Sequence, residues 1–172
     1  MVDGLTHRIS GLDTTIDRMS RFPEKMQKRV ATKAARKGAN ILRDAARKRA
    51  RAIDDPSTNT SIAKNIVSQN ASKLGRENGG VAMRVGVLGG ARSYADTRAN
   101  RRSGKAGQTY AVDGSSTNPG GDTWYWRLLE FGTEHMRPRP IFRPAMIESQ
   151  QLVFSTIASE FSQQLNQLEL DN

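Results

Sequence analysis

Glu130 and His135 are the two residues whose types and spacing come closest to a catalytic pair. A carboxylate and an imidazole can act together as general acid and base, or bind a metal ion together. Their five-residue spacing crosses Gly132, and it lacks the helical pattern of two histidines four residues apart that zinc proteases use. We therefore interpret both residues as structural, and we predict no catalytic residue and no metal site.

Nucleotide and thiol chemistry find no support in the sequence either. It contains no GxxxxGKS or GxxxxGKT phosphate-binding loop and no GxGxxG motif after a strand. The pair Gly89-Gly90 by itself indicates a turn. With no cysteine, the chain has neither a thiol nucleophile nor a thiolate metal ligand. The sequence therefore predicts a protein that is not an enzyme and needs no cofactor.

Charge is the main feature of the composition. The 172 residues carry a formal net charge of +10, and the segment 23–53 holds 11 lysines and arginines against two acidic residues. The segment 144–172 has four acidic residues and no lysine or arginine. This asymmetry favours a polyanion on the basic side and a different, basic partner on the acidic side.

The basic segment has two interpretations. It can be an ordinary solvated helix face, or it can contact duplex DNA through the phosphates without reading sequence. We favour DNA because the charge excess far exceeds a balanced pattern of ion pairs along a helix. The residues predicted to face DNA are Lys33, Arg36, Lys37, Arg43, Arg47, Lys48, Arg49 and Arg51.

Local patterns predict an α+β domain. Apolar residues recur every three or four positions across 26–53, which predicts one long helix of about 45 Å that packs through small side chains onto a flat partner such as a sheet. Alternating valines predict a strand at 81–87, and 59–69 and 145–168 are predicted to be helical. Together they predict a small, mainly antiparallel sheet flanked by the basic N-terminal helix and a C-terminal helix.

We predict a single domain over 1–172, with the Gly-rich segment 89–123 as a flexible insertion loop. No run of 18 apolar residues and no signal-peptide pattern is present, so we expect neither a membrane span nor secretion. Basic and tyrosine side chains of the loop are predicted to form a clamp that becomes ordered on assembly. They are Tyr94, Arg98, Arg101, Arg102, Lys105 and Tyr110.

The segment 124–146 is predicted to be the corner that organises the domain. Its two tryptophans, with Leu128, Leu129 and Phe131, are expected to anchor the core. Gly132 permits a positive φ, and each proline keeps the residue before it extended. Pro144 is expected at the first position of the C-terminal helix. Glu130 and the arginines at 137, 139 and 143 either pair within the chain or contact another subunit, and the sequence leaves both open.

The corner also carries a family resemblance. The string Leu129-Glu130-Phe131-Gly132-Thr133, followed by Arg137-Pro138-Arg139-Pro140-Ile141-Phe142-Arg143-Pro144-Ala145, resembles the signature of tail-component or tail-completion proteins of lambdoid-type long-tailed bacteriophages. The string Ile9-Ser10-Gly11-Leu12-Asp13 is similar to the family's opening, and Ser61–Val67 to its second helix. The segment 89–123 is longer and richer in glycine than the family pattern.

This resemblance implies a structural virion protein of the phage neck or tail top, which completes the tail and helps join it to the DNA-filled head. It implies a homo-oligomeric ring, with six copies expected. The implied partners are the tail terminator or tail tube, head-completion or connector proteins, and genomic DNA bound non-specifically in the channel, with no membrane. The protein would occupy the host cytoplasm only during assembly. The alternative function is that of a non-specific DNA-binding protein in packaging or nucleoid binding, which would use the same basic helix.

Overall fold

The computed structural model describes residues 17–88, 92–110 and 118–170, and for 92, 93, 109 and 110 the backbone alone. It confirms the predicted α+β class, with long helices near both ends of the described range and a two-stranded antiparallel sheet. Two long helices dominate the fold, α1 (Glu24–Arg51) near the start and α6 (Phe142–Leu170) at the end. Within these ranges, no helix is long and apolar enough to cross a membrane.

The shorter elements lie between the two long helices in the sequence. They are α2 (Ile62–Asn65), β1 (Ile66–Asn70), α3 (Ser72–Glu77), β2 (Met83–Val87), β3 (Arg92–Ser93), α4 (Arg98–Arg102), β4 (Thr109–Tyr110) and α5 (Trp126–Phe131). The two antiparallel ladders pair β1 with β2, with Ile66 opposite Val87, and β3 with β4. The predicted strand at 81–87 is confirmed as β2.

The predicted helix over 59–69 is wrong in its second half. One helical turn, α2, is followed directly by strand β1. The carboxylate of Asp54 accepts hydrogen bonds from the backbone N–H groups of Ile62 (3.0 Å) and Ala63 (3.2 Å) and so starts the turn. The β-branched pair Ile66 and Val67 then enters the ladder with β2, where such side chains pack better than in a helix.

Helix α1 packs mainly against α6, which corrects the prediction of a sheet as its partner. The helices run antiparallel. Lys33, in the first half of α1, donates to Gln164 near the end of α6 at 2.9 Å, whereas Arg49, near the end of α1, pairs with Glu148 near the start of α6. Gly38 brings them close, because a Cβ there would lie 2.6 Å from Ile157 Cγ1. The β1–β2 ladder contacts α1 as well. Small residues therefore serve helix-to-helix packing here.

The hydrophobic core lies where the second half of α1, α2, β1 and the start of α6 meet. Its buried residues are Ala46, Ala50, Ile62, Ala63, Ile66, Ile141 and Ala145, with Trp126, Leu129 and Phe142 packed against them. The prediction that Phe131 and Leu128 anchor the core is wrong, because they are 70% and 38% exposed, and Trp124 is 50% exposed. Helix α5 turns Trp126 and Leu129 to the core, whereas Leu128 and Phe131 lie on its exposed side and Trp124 precedes the helix.

Helix α6 begins at Phe142, two residues before the predicted start. Pro144 occupies its third position, where the missing N–H is still harmless because the first turn has no intrahelical acceptor for it. The helix starts early because a side chain from α5 takes up its first amide groups, as described below.

The predicted loop 89–123 contains more local structure than the sequence indicated. Its described part includes β3, α4 and β4, and its last residues are tied to Asn65. The buried Asn65 amide donates to the Gly121 carbonyl (2.9 Å) and to Thr123 Oγ1 (2.8 Å), and its carbonyl accepts from the Gly120 N–H (2.6 Å). Residues 118–123 are therefore part of the packed domain. Residues 1–16, with the predicted opening motif, lie outside the described residues.

Candidate assembly surfaces

Glu130 holds the corner together by capping helix α6. Its carboxylate accepts hydrogen bonds from the backbone N–H groups of Ile141 (2.6 Å), Phe142 (3.1 Å) and Arg143 (3.3 Å). These groups have no acceptor inside the helix, and a negative charge at this end is stabilised by the helix dipole. The motif glutamate therefore has a structural role, which it performs through backbone amides.

Gly132 and the residues after it turn the chain back along α5. Gly132 has φ of +76°, and a Cβ there would lie 2.9 Å from the Met136 carbonyl oxygen and 3.0 Å from Pro138 Cδ. Thr133 N–H donates to the same carbonyl at 2.9 Å, and Arg139 N–H donates to the Leu129 carbonyl at 2.7 Å. The turn is thus compatible only with glycine at this position, and it places the proline-stiffened arm against the end of α5.

Three arginines project from this arm without a carboxylate partner. The side chains of Arg137, Arg139 and Arg143 are exposed, and none forms an ion pair with an acidic group in the described part of the chain. Arg143 lies in the first turn of α6, where the helix dipole disfavours a cation. Intrachain ion pairing, one of the two predicted roles of these residues, is therefore not seen.

The outer side of α5 adds a large apolar area to these arginines. Leu128 and Phe131 are three residues apart on α5, which places them on one side of the helix, and the exposed Trp124 lies two residues before α5 begins. We call the three apolar residues, together with Arg137, Arg139 and Arg143, the corner surface. Monomeric proteins rarely expose contiguous apolar surface of this kind unless it binds something.

A second exposed apolar area lies on helix α6 and differs in charge. Met146 and Ile147 are 61% and 63% exposed, and the exposed edge of Phe154 lies on the same side of the helix. We call these three residues the α6 face. The acidic residues of α6 turn elsewhere, since Glu148 pairs with Arg49 and Glu160 with Lys37. The three side chains of the α6 face are therefore apolar, and the exposed Arg143 lies one helical turn before them.

Many basic side chains of helix α1 pair with groups of the same chain. Of the eight residues predicted to face DNA, Lys37, Arg43 and Arg49 form ion pairs with Glu160, Asp44 and Glu148. Lys33 donates to Gln164, and Arg47 Nε donates to the Ile66 carbonyl at 2.9 Å. The acidic C-terminal helix is thus an internal partner for the basic helix.

Electrostatics near the middle of α1 follow from this pairing. The hydrogen bond from Arg43, opposed by partial burial, holds the pKa of Asp44 below its ordinary range, and the charges of Arg43, Arg47 and Arg51 add to the effect. Burial lowers the pKa of Arg47, and the neighbouring Arg43 lowers it further. Arginine remains charged at any physiological pH, so Arg47 is a fixed cation bound to a backbone carbonyl.

Three of the eight predicted cations remain available to a ligand. Arg36, Lys48 and Arg51 are exposed and have no hydrogen-bonding or ion-pair partner among the described residues. The sequence reasoning missed Lys25 and Arg29, which are equally exposed and unpaired on the first half of α1. Their spacing from Arg36, at intervals of seven and eleven residues, could have indicated one shared side of the helix.

The predicted clamp residues lie apart from the corner and are partly engaged with one another. Arg101 pairs with Asp96 at 2.6 Å, and the Lys105 ammonium lies 5.6 Å from the centre of the Tyr94 ring. Arg98 and Arg102 are exposed on α4. The side chain of Tyr110 lies outside the described residues. Ordering of this segment on assembly stays a prediction.

Glu130 and His135, the pair considered for catalysis, form no hydrogen bond or ion pair with each other in the structure. Glu130 is occupied by the amides of α6, and His135 is exposed on the turn. No three histidine, aspartate or glutamate side chains within those ranges converge closely enough to hold a metal ion.

Comparison with known families agrees with the resemblance that the corner motif carries. The family described as "Bacteriophage HK97-gp10, putative tail-component" matches residues 13–132, which is more than two thirds of the chain. The chain belongs to this family. No curated protein and no solved structure matches it. The match ends within the corner motif, at Gly132, so the arginine arm and α6 lie beyond it.

Membership of the tail-component family identifies the chain as a structural bacteriophage tail protein of the virion. A structural tail component acts by assembly, which indicates a role other than catalysis. The surfaces that matter are then those that contact neighbours.

Proposed function

We propose that this protein completes the phage tail at its top, assembles there as a ring and helps join the tail to the DNA-filled head. The observation that carries the proposal is the amount of large apolar surface that a structural tail protein leaves exposed. The residues concerned are Trp124, Leu128, Phe131, Met146, Ile147, Leu152, Phe154 and Leu170. Exposure on this scale is unfavourable in a monomer and is relieved by burial in an assembly.

The α6 face is the surface best suited to contact a second copy. The chain has a net charge of +10, so copies repel one another unless they meet through uncharged surface. Met146 and Ile147 provide such surface, because the nearby Glu148 is neutralised by Arg49. A contact that uses different patches on the two copies closes into a ring when its rotation permits, which suits a six-fold neck.

Light scattering after size-exclusion chromatography tests this contact. Met146→Gln combined with Ile147→Gln should convert a ring into monomers, since each change places an amide in an apolar interface. Leu74→Gln is the matched control, because Leu74 is 49% exposed on α3 away from α6. Wild-type oligomers from the double variant, or monomers from wild type at any concentration, would contradict the proposal.

Joining is tested with particles made without this chain. We expect such infections to yield filled heads and separate tails, and purified protein added to them should restore joined, infectious particles. Joined particles in its absence would contradict a role in tail completion.

A second candidate function, non-specific DNA binding, is favoured by the unpaired cations of α1. In a ring they would face DNA in the channel, whereas in a packaging or nucleoid protein they would bind DNA in solution. If Lys25, Arg29, Arg36, Lys48 and Arg51 are the contacts, the logarithm of affinity should fall with the logarithm of salt concentration with a slope of about −4 to −5.

The eight residues predicted from the sequence would give a slope of about −7. Tight DNA binding by the isolated protein with the steeper slope would favour the DNA-binding function over tail completion. Weak binding alone, together with co-purification with tails, supports the role in the neck.

A further inference from the structure

The corner surface combines exposed aromatic and aliphatic side chains with arginines that form no ion pair with any described residue. We propose that it docks a different virion protein, through a segment of that protein that is both apolar and acidic. A second copy of this chain is not the occupant. The inference rests on the proposed function at the tail top, and it names the chemistry of the partner met there.

The corner is rigid enough to act as a docking surface. Glu130 ties α5 to the start of α6 through three backbone amides, and Arg139 N–H ties the arm to the Leu129 carbonyl. The prolines of the arm fix their own φ angles and leave few alternative conformations. Binding to such a surface loses little conformational entropy.

The residue types are those that dominate protein interfaces. Tryptophan and arginine contribute a large share of binding energy at interface centres, and phenylalanine is enriched there. Arg137 and Arg139 are two residues apart in an extended segment, so they lie on the same side of the arm. Phe131 sits at the end of α5, against which that arm folds back. Apolar anchors and cations thus share one continuous surface.

The charges of this chain disfavour a second copy as the occupant of the corner surface. The three corner arginines require carboxylates, and this chain has few to offer. Of the acidic residues in the described ranges, those with no hydrogen bond to the side-chain carboxylate and no ion pair are Asp17, Asp122 and Glu134. Glu134 belongs to the corner turn itself, and Asp122 is partly buried. A copy carrying +10 would therefore bring repulsion to a basic surface.

The apolar residues of the corner surface disfavour DNA as its occupant. Duplex DNA binds structural proteins chiefly through its phosphates, which satisfy arginines and give an indole or a phenyl ring no place to bury. Trp124 and Phe131 lie on the corner surface beside the arginines, so an occupant must bury both kinds of group. A protein segment with apolar residues and carboxylates does so.

Photocross-linking in assembled particles identifies the occupant. Phe131→benzoylphenylalanine is tolerable because the side chain is 70% exposed. After irradiation, mass spectrometry should find position 131 linked to a different virion protein, in a peptide with more aspartate and glutamate than lysine and arginine. A link to another copy of this chain, a link to DNA, or no link above that of a Leu74→benzoylphenylalanine control would overturn the proposal.

Charge reversal gives an independent measurement. Arg137→Glu, Arg139→Glu and Arg143→Glu are combined and compared with Lys64→Glu, Lys73→Glu and Arg76→Glu, which change the net charge equally at exposed basic residues outside the corner and the predicted clamp. The probes are unjoined tails and filled heads purified from infections that lack this chain. We expect the corner variant to bind at least tenfold more weakly than wild type, and the control variant to bind like wild type.

Three readouts separate this inference from the proposed function. The corner variant and its triple glutamine counterpart should keep the wild-type melting temperature and ring size, since both keep the apolar side chains of Met146, Ile147 and Phe154 that form the α6 face. Unchanged binding of either variant to tails and heads would overturn the corner proposal and leave tail completion standing. Failure of the wild-type protein to bind either particle would contradict tail completion itself.

Discussion

Removing the Glu130 carboxylate is the most informative perturbation of the fold. In Glu130→Ala the first amides of α6 lose an acceptor that now accepts three hydrogen bonds, at 2.6, 3.1 and 3.3 Å. Loss of a helix cap costs about 1 kcal/mol, and loss of a negative charge from the helix N-terminus costs up to about 1 kcal/mol more. We expect unfolding free energy to fall by about 2 kcal/mol.

Urea unfolding followed by circular dichroism measures this loss. With a denaturant slope of about 2 kcal/mol per molar, the midpoint should fall by about 1 M. Glu130→Gln keeps one acceptor oxygen but no charge, so its midpoint should lie about halfway between. Glu134→Ala is the control, because Glu134 is an exposed carboxylate on the same turn, with no side-chain hydrogen bond or ion pair to another described residue. Equal midpoints for Glu130→Ala and Glu134→Ala would refute the assigned cap.

Three further predictions follow from packing and charge. Gly120→Ala should lower stability by about 3 kcal/mol, since its Cβ would lie 2.0 Å from the Ser61 carbonyl oxygen, whereas Gly80→Ala, with open space, should change little in thermal melting. Phe131→Ala should melt within about 0.5 kcal/mol of wild type, because the ring is 70% exposed; a larger loss would place it in the core. The depressed pKa of Asp44 means that its stabilisation is present above the ordinary carboxylate range and is lost as pH falls through the lowered pKa. In Asp44→Asn the free energy of unfolding should therefore fall less steeply as pH is lowered, with a difference from wild type of less than about 1 kcal/mol. The same pH dependence in variant and wild type would contradict the pairing of Asp44 with Arg43.

Periodicity predicted the elements that are long or strongly patterned. The long helix, the C-terminal helix and strand β2 follow from spacing of apolar residues, because each buries one side against the rest of the chain. The corner motif was sufficient to predict the family. Strand β1 was not predicted, because a segment of five residues is too short to distinguish the helical period from the strand period. Its pairing with β2 makes it a strand.

Contacts between distant residues were beyond the reach of local patterns. Phe131 and Leu128 were predicted to be core residues from their hydrophobicity, yet α5 exposes the side that carries them. The excess charge of α1 indicated an external polyanion, and the antiparallel register with α6 satisfies part of it internally, as in Lys37 with Glu160. The cap by Glu130 also depends on a turn that only the folded chain forms. The sequence thus indicated which residue types matter, and it did not indicate which residues each of them contacts.

Cryo-electron microscopy of the purified virion tests the central claim most directly. We predict a ring of copies of this chain at the top of the tail, with the α6 face between adjacent copies and the corner surface against a different, acidic protein. A position along the tail tube or at the tail tip, or absence of the chain from mature particles, would contradict it.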